Sequence, residues 1–181
     1  TIALSTYSFG PECTAQHALD FAIEYGFLGL ELGSWTLWPK KISRAEVRPI
    51  RMQAASNGID LSIHFIHRGV APASHNPERR AKHLSELEAT LNLAHDLGAK
   101  PIVIHPGTID CVGVEPTKAS EHVRLEAIEN LALFLYEGAR MVEETGTVLC
   151  IENLVHAPGY VLQSYADMVE LVAMVGSPAV R

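Results

Sequence analysis

Cysteine is scarce in this chain. Cys13, Cys111 and Cys150 stand far apart, with no C-x-x-C pair among them. That excludes a disulfide framework and a paired-cysteine redox or zinc motif, and it predicts a reducing, cytoplasmic setting. Positive charge is also short: 14 Lys and Arg face 21 Asp and Glu, a net charge of −7. A duplex-binding protein presents a basic face, so this balance argues against nucleic acid as a partner. No apolar run approaches the roughly 20 residues of a membrane span, so no membrane partner is expected. The opening "TIALSTYSFG" has no basic flank and reads as a strand rather than a signal peptide. Two catalytic signatures are missing too, the G-x-S-x-G elbow and the P-loop. "GFLGLELG" is no dinucleotide fingerprint, because its glycines surround a strand instead of opening a helix.

What is present is a repeated α/β grammar. The 181 residues are 48% hydrophobic and 19% charged, enough for one well-filled core and too few for two ordinary domains. Gly26, Gly58, Gly98, Gly146 and Gly176 each close a helical pattern and open a strand pattern. The spacing of Ala81, Leu84, Leu87, Leu91, Ala94 and Leu97 predicts a helix over 78–97 with one apolar stripe. Ser43 with Glu46, and Ser164 with Asp167, read as capping boxes at two helix starts, the last helix running over 164–175. Strands are expected near 2–8, 28–33, 60–65, 101–105 and 147–152, with a sixth beginning at "SPAVR". Strands alternating with helices imply a parallel sheet.

The period of two sorts each strand into faces. Leu28 and Leu30, Leu61 and Ile63, Ile102 and Ile104, and Leu149 and Ile151 make one aliphatic face. The opposite face is smaller and ends each strand on a polar group: Tyr7, Glu31, His64, His105 and Glu152. An open doubly wound sheet covers both faces with helices and gives no reason for every strand to end alike. A barrel gathers such ends at one mouth, where barrel active sites lie. The expectation is therefore a parallel (β/α)8 TIM barrel. Residues 1–181 would form a single partial barrel domain of about five βα units, cut before strand six completes.

At the mouth, two imidazoles and a carboxylate, His64, His105 and Glu152, are a ligand set for a divalent metal such as zinc, manganese or cobalt. The plainer reading of each histidine is a hydrogen-bonded structural residue. Glu31 reads either as a substrate or proton-transfer carboxylate or as half of an ion pair. Trp35 and Trp38, in "GSWTLWP", would wall a sugar pocket or simply pack over the mouth. Arg68, Arg79 and Arg80 would meet a phosphate or remain solvated. His67 and His156 are weaker contacts near the mouth. His17, His75, His83, His95 and His122 are expected on solvated surface.

"GFLGLELG", "SIHF", "IVIHPG" and "CIEN", in this order, resemble the xylose isomerase-like TIM-barrel superfamily over nearly the whole chain. That superfamily holds sugar and sugar phosphate isomerases and epimerases together with endonuclease IV. The resemblance implies that Glu152 is a metal ligand. In the endonuclease branch, histidines matching His64 and His105 bind zinc as well. In the isomerase branch one ion, often manganese or magnesium, is completed by residues from later strands, and the fourth-strand histidine faces substrate.

The resulting expectation is a metal-dependent isomerase or epimerase of a small sugar or sugar phosphate. Glu152 and His105 would be catalytic, Glu31, Trp35 and His64 would bind substrate, and Mn, Mg, Co or Zn would be the cofactor. A homo-oligomer is compatible with this reading. The alternatives are a zinc-dependent abasic-site endonuclease and a non-catalytic barrel fragment.

Overall fold

In the computed structural model, residues 2–33, 42–152, 154 and 159–181 are described. Ten regular elements follow in chain order. They are β1 (Ala3–Ser5), α1 (Ala15–Glu24), β2 (Gly29–Leu32), α2 (Arg44–Ser56), β3 (Asp60–His64), α3 (Pro77–Leu97), β4 (Pro101–Ile104), α4 (Glu121–Val142), β5 (Val148–Ile151) and α5 (Tyr165–Val175). Two compact units divide the chain, Thr1–Ile66 with Asn92–Val103, and His67–Leu91 with Ile104–Arg181. Both α3 and β4 run from one unit into the other.

In the first unit β1, β2, β3 and β4 pair in parallel, with Ser5 opposite Glu31, Glu31 opposite Ser62, and His64 opposite Val103. In the second unit the Glu152 N–H donates to the Ile104 carbonyl at 3.0 Å, bringing the ends of β4 and β5 side by side. The strand order is β1-β2-β3-β4-β5, the order of a barrel wound one βα unit at a time. The expected start of a sixth strand is present. Val180 forms a parallel bridge to Leu149, and the Ile151 N–H reaches the Arg181 carbonyl at 2.8 Å.

The period-two faces hold. Leu30, Ile63, Ile102, Ile104 and Leu149 are buried, whereas Glu31, Ser62, Val103, Cys150 and Glu152 are half-buried. In the first unit Ala18, Leu19, Ala22, Ile50 and Ala54 bury one stripe of α1 and α2. In the second, Leu131, Leu135 and Ala139 do the same for α4. All five glycines read as helix terminators have positive φ, from 63° to 73°. Both capping boxes form: Ser43 N–H donates to Glu46 Oε2 at 2.7 Å, and Ser164 N–H to Asp167 Oδ2 at 2.9 Å.

Three expectations need correction. Leu28 lies just before β2 and is exposed rather than part of the buried face. The first strand stops at Ser5, because the Ser5 hydroxyl accepts from the Tyr7 N–H at 3.3 Å and caps a 3₁₀ turn, Thr6–Ser8. The stripe of α3 also rotates at its start. Ala81 is exposed and Leu84 half-buried, while His83 and Thr90 are buried beside Leu87, Leu91, Ala94 and Leu97. Both polar side chains reach partners on their own helix: His83 Nδ1 lies 2.8 Å from Glu86 Oε2, and Thr90 Oγ1 donates to the Glu86 carbonyl at 2.9 Å. That local pairing lowers the cost of burying polar groups. Among the described residues no helix is long and apolar enough to cross a membrane.

Candidate functional site

In the second unit the site is built on the carboxyl ends of β4 and β5. Ile104 is buried, and the next residue, His105, stands where the strand breaks into the Pro106–Gly107 turn. Gly107 has φ 78°, a conformation other L residues adopt only under strain. His105 Nε2 lies 3.0 Å from Glu152 Oε2, with the imidazole 21% and the carboxylate 40% exposed. On the other side the His67 ring stacks on His105, centroids 4.8 Å apart and planes 23° from parallel. The ligand atoms of His67 and His105 lie within 4.8 Å of each other.

This donor set fits a divalent ion. Ligand bonds of about 2.0–2.2 Å at a tetrahedral angle place two donors about 3.3 Å apart. The His105–Glu152 separation suits either a shared proton or two bonds to one cation. The His67 and His105 ligand atoms, within 4.8 Å of each other, are close enough to hold one ion between them. Neutral imidazole and carboxylate together suit zinc, manganese or cobalt.

In the first unit the polar strand ends are held by their neighbours. The Ser5 hydroxyl donates to Glu31 Oε1 at 2.7 Å, across the β1–β2 pairing that sets them opposite each other. The Gly33 N–H donates to Thr6 Oγ1 at 2.7 Å. A Cβ on Gly33 would come within 2.7 Å of the Tyr7 ring, so only glycine lets that ring lie against the end of β2. Tyr7 in turn meets His64 edge-on, with ring centroids 5.2 Å apart. His64 is buried, and its Nδ1 lies 3.0 Å from the Phe65 carbonyl. A carbonyl only accepts, so Nδ1 is the donor in this contact.

Of the residues expected at the site, His105 and Glu152 are brought together in the second unit, while Glu31 and His64 end strands of the first. Trp35, Trp38 and His156 lie outside the described residues. His67, read as a weaker contact, packs directly on His105. Its signal was its position in "HFIHRG", three residues after His64 and before Gly69, where the chain turns. Two histidines expected on solvated surface are not there. His83 is buried, and His75 is largely buried beside Glu126. Arg79 is engaged by Asp110 at 2.7 Å, and Arg80 donates to the Ser74 carbonyl, which removes Arg79 as an unpaired phosphate contact.

Comparison with known proteins agrees with this architecture. The family model described as "Xylose isomerase-like TIM barrel" matches residues 19–181. No curated protein sequence matches the chain. Among solved structures, a D-psicose 3-epimerase determined in the presence of D-fructose superposes with a TM-score of 0.80 at 21% identity, over 99% of this chain and 61% of that one. An IolI protein with a bound zinc atom gives 0.77 at 14% identity, over 98% and 60%. An AP endonuclease, family 2, from Brucella melitensis gives 0.68 at 18% identity, over 90% and 59%. The chain thus spans about three fifths of the length of each of these relatives. Five parallel strands wound in sequence, each followed by a helix or the start of the next turn, and a family match over most of the chain lead to one assignment: this chain belongs to the xylose isomerase-like TIM-barrel family.

Proposed function

We propose that the chain is one partial barrel domain of a divalent-metal-dependent isomerase or epimerase that acts on a small sugar or sugar phosphate. The observation that carries this reading is the His105–Glu152 pair, 3.0 Å apart at adjacent strand ends, with His67 stacked on it. The likeness to a D-psicose 3-epimerase, a sugar enzyme by its name, favours carbohydrate chemistry. The zinc atom in the IolI structure favours a metal.

Glu152, His105 and His67 would hold the ion, and His64 enters as a metal or substrate contact from the end of β3. Bound Mn, Mg, Co or Zn would polarise a substrate carbonyl and its neighbouring hydroxyl, acidifying the intervening C–H. Glu152, only half-buried, would accept that proton, exchange it with solvent and deliver a proton to the neighbouring carbon for isomerisation. Epimerisation at the same carbon needs a second acid on the opposite face. His105 would steady the carboxylate through their shared contact. Glu31, pinned by Ser5, would accept a hydrogen bond from a sugar hydroxyl and fix the register of the carbon chain. Trp35 remains in the proposal as a wall of the sugar pocket.

The test is proton exchange in the full-length protein, loaded with manganese, cobalt, magnesium or zinc and given ketoses in D2O. Deuterium should appear at the epimerised or isomerised carbon and disappear in Glu152→Gln. Isomerised product without solvent deuterium would overturn proton transfer as the mechanism.

A second reading is a zinc-dependent abasic-site endonuclease, favoured by the structural likeness to an AP endonuclease and opposed by the net charge of −7. Metal-dependent nicking of an abasic duplex, with no turnover of any ketose, would replace the first reading with this one. Metal binding unchanged in both Glu152→Ala and His105→Ala would leave a scaffold without this chemistry.

A further inference from the structure

A second group of histidine and carboxylate side chains lies in the second unit, apart from His67, His105 and Glu152. His122 and Glu126 are four residues apart on α4, so both side chains leave the same face of the helix. Glu126 reaches in two directions. Its Oε1 lies 3.3 Å from His122 Nε2, and its Oε2 lies 3.3 Å from His75 Nε2. His75 comes from the segment between β3 and α3, and that segment is fixed. The His75 N–H donates to the Asp110 carbonyl at 3.0 Å, the Ser74 hydroxyl donates to the Asp110 carboxylate, and Arg79 closes on the same carboxylate at 2.7 Å.

Of the three, His75 needs an explanation. Its side chain is 17% exposed, and both ring nitrogens are shielded from solvent. Nε2 is close to Glu126, yet neither ring nitrogen has a hydrogen bond with satisfactory geometry. A buried imidazole with no aligned hydrogen bond costs desolvation free energy, against which stands the 3.3 Å approach of Nε2 to the Glu126 carboxylate. An imidazole beside a carboxylate without an aligned N–H···O is compatible with both donating lone pairs to one cation. Contacts of 3.3 Å are also the spacing of two donors on one tetrahedral ion.

We propose that His75, Glu126 and His122 form a second divalent-metal site, of the zinc or cobalt class. As the side chains stand, the carboxylate bridges the two imidazoles. His122, 81% exposed, can turn about its own side-chain bonds to bring its nitrogen to the ion. His75 and Glu126 are the fixed half of the site and His122 the closing half, with water completing four-fold coordination. Occupied, the site would staple the segment before α3 to the first turns of α4.

The test uses tag-free protein with zinc, and with cobalt as a spectroscopic probe. Wild type should bind one more equivalent of cobalt per chain than His122→Ala or Glu126→Gln, and that equivalent should show the visible absorption of a tetrahedral ion. Zinc should raise the unfolding temperature of wild type more than that of His122→Ala. His122 is exposed, so its replacement leaves the fold intact and isolates the metal effect. The comparison is a difference of one equivalent, so it does not depend on how many ions His105 and Glu152 hold. The same cobalt stoichiometry and absorption in wild type and both variants would overturn the site. So would saturation only at millimolar metal, which marks adventitious surface histidine.

Discussion

The polar strand ends of the two units are built differently. In the first, each is tied to a neighbour that holds it: Glu31 to Ser5, Gly33 to Thr6, and His64 to the Phe65 carbonyl. In the second, His105 and Glu152 are tied to one another, and His67 stacks on the pair. A side chain whose hydrogen bonds run to its own scaffold is oriented by that scaffold. Two titratable groups facing one another can trade a proton or a cation. The contrast separates residues that position a ligand from residues that can do chemistry on it.

The largest effect should come from breaking the second arrangement. Glu152→Ala removes a proposed ligand and leaves His105 without its carboxylate. Divalent-metal affinity should fall by about 100-fold or more, as read by calorimetric titration, with little change in unfolding temperature. His67→Ala should cost about 10-fold to 100-fold in the same titration if the stacked ring is a ligand, a range typical of groups that bind or orient metal ligands. An unchanged affinity would make His67 packing only.

The first arrangement should respond in stability rather than in metal affinity. Gly33→Ala drives a Cβ to within 2.7 Å of the Tyr7 ring, and overpacking of this kind costs about 1–3 kcal/mol. Chemical denaturation should show it, while metal titration should not. Ser5→Ala deletes one hydrogen bond to Glu31 and should cost about 0.5–1.5 kcal/mol, with sugar affinity of the full-length protein falling alongside. If Ser5→Ala lowered metal affinity as much as Glu152→Ala, the distinction between the two arrangements would fail.

The smallest effect concerns acid stability, through Asp167 at the start of α5. Burial works to raise its pKa, but the Gln163 and Ser164 N–H groups and the Arg124 guanidinium together outweigh it and hold the carboxyl below its usual value. A depressed folded pKa means stability that is present above the unfolded value, about 3.9, and lost as pH falls through the folded one. Asp167→Asn keeps an acceptor for the cap and removes the titration. Its unfolding temperature should therefore decline less steeply than that of wild type below about pH 4.

Much of this was legible in the chain because the signals are local. The five glycines at helix ends, the two capping boxes and the alternation in "PIVIH" and "TVLCIEN" depend on residues within one turn or one strand. That is why they predicted all five strands and the start of a sixth. His105 and Glu152 were legible for the same reason, as polar residues ending apolar strands. His83 and His75 were not. The burial of His83 depends on what its helix packs against, and His75 finds Glu126 across many intervening residues. The end of β1 at Ser5 was missed because a hydroxyl two residues before Tyr7 competes with the ladder for the backbone.

By itself the sequence determined the element order, the parallel sheet, the aliphatic face and the polar residue at the end of every strand but the first, since these follow from backbone periodicity and glycine stereochemistry. Only the tertiary structure decided which of those polar groups touch. It set His105 against Glu152 and His67, Glu31 against Ser5, and His75 with His122 around Glu126. The physical reason is range. A strand's period is set within a few residues, whereas a 3 Å contact between side chains needs the register of two strands or the packing of a helix against a loop, which no short stretch of chain encodes alone.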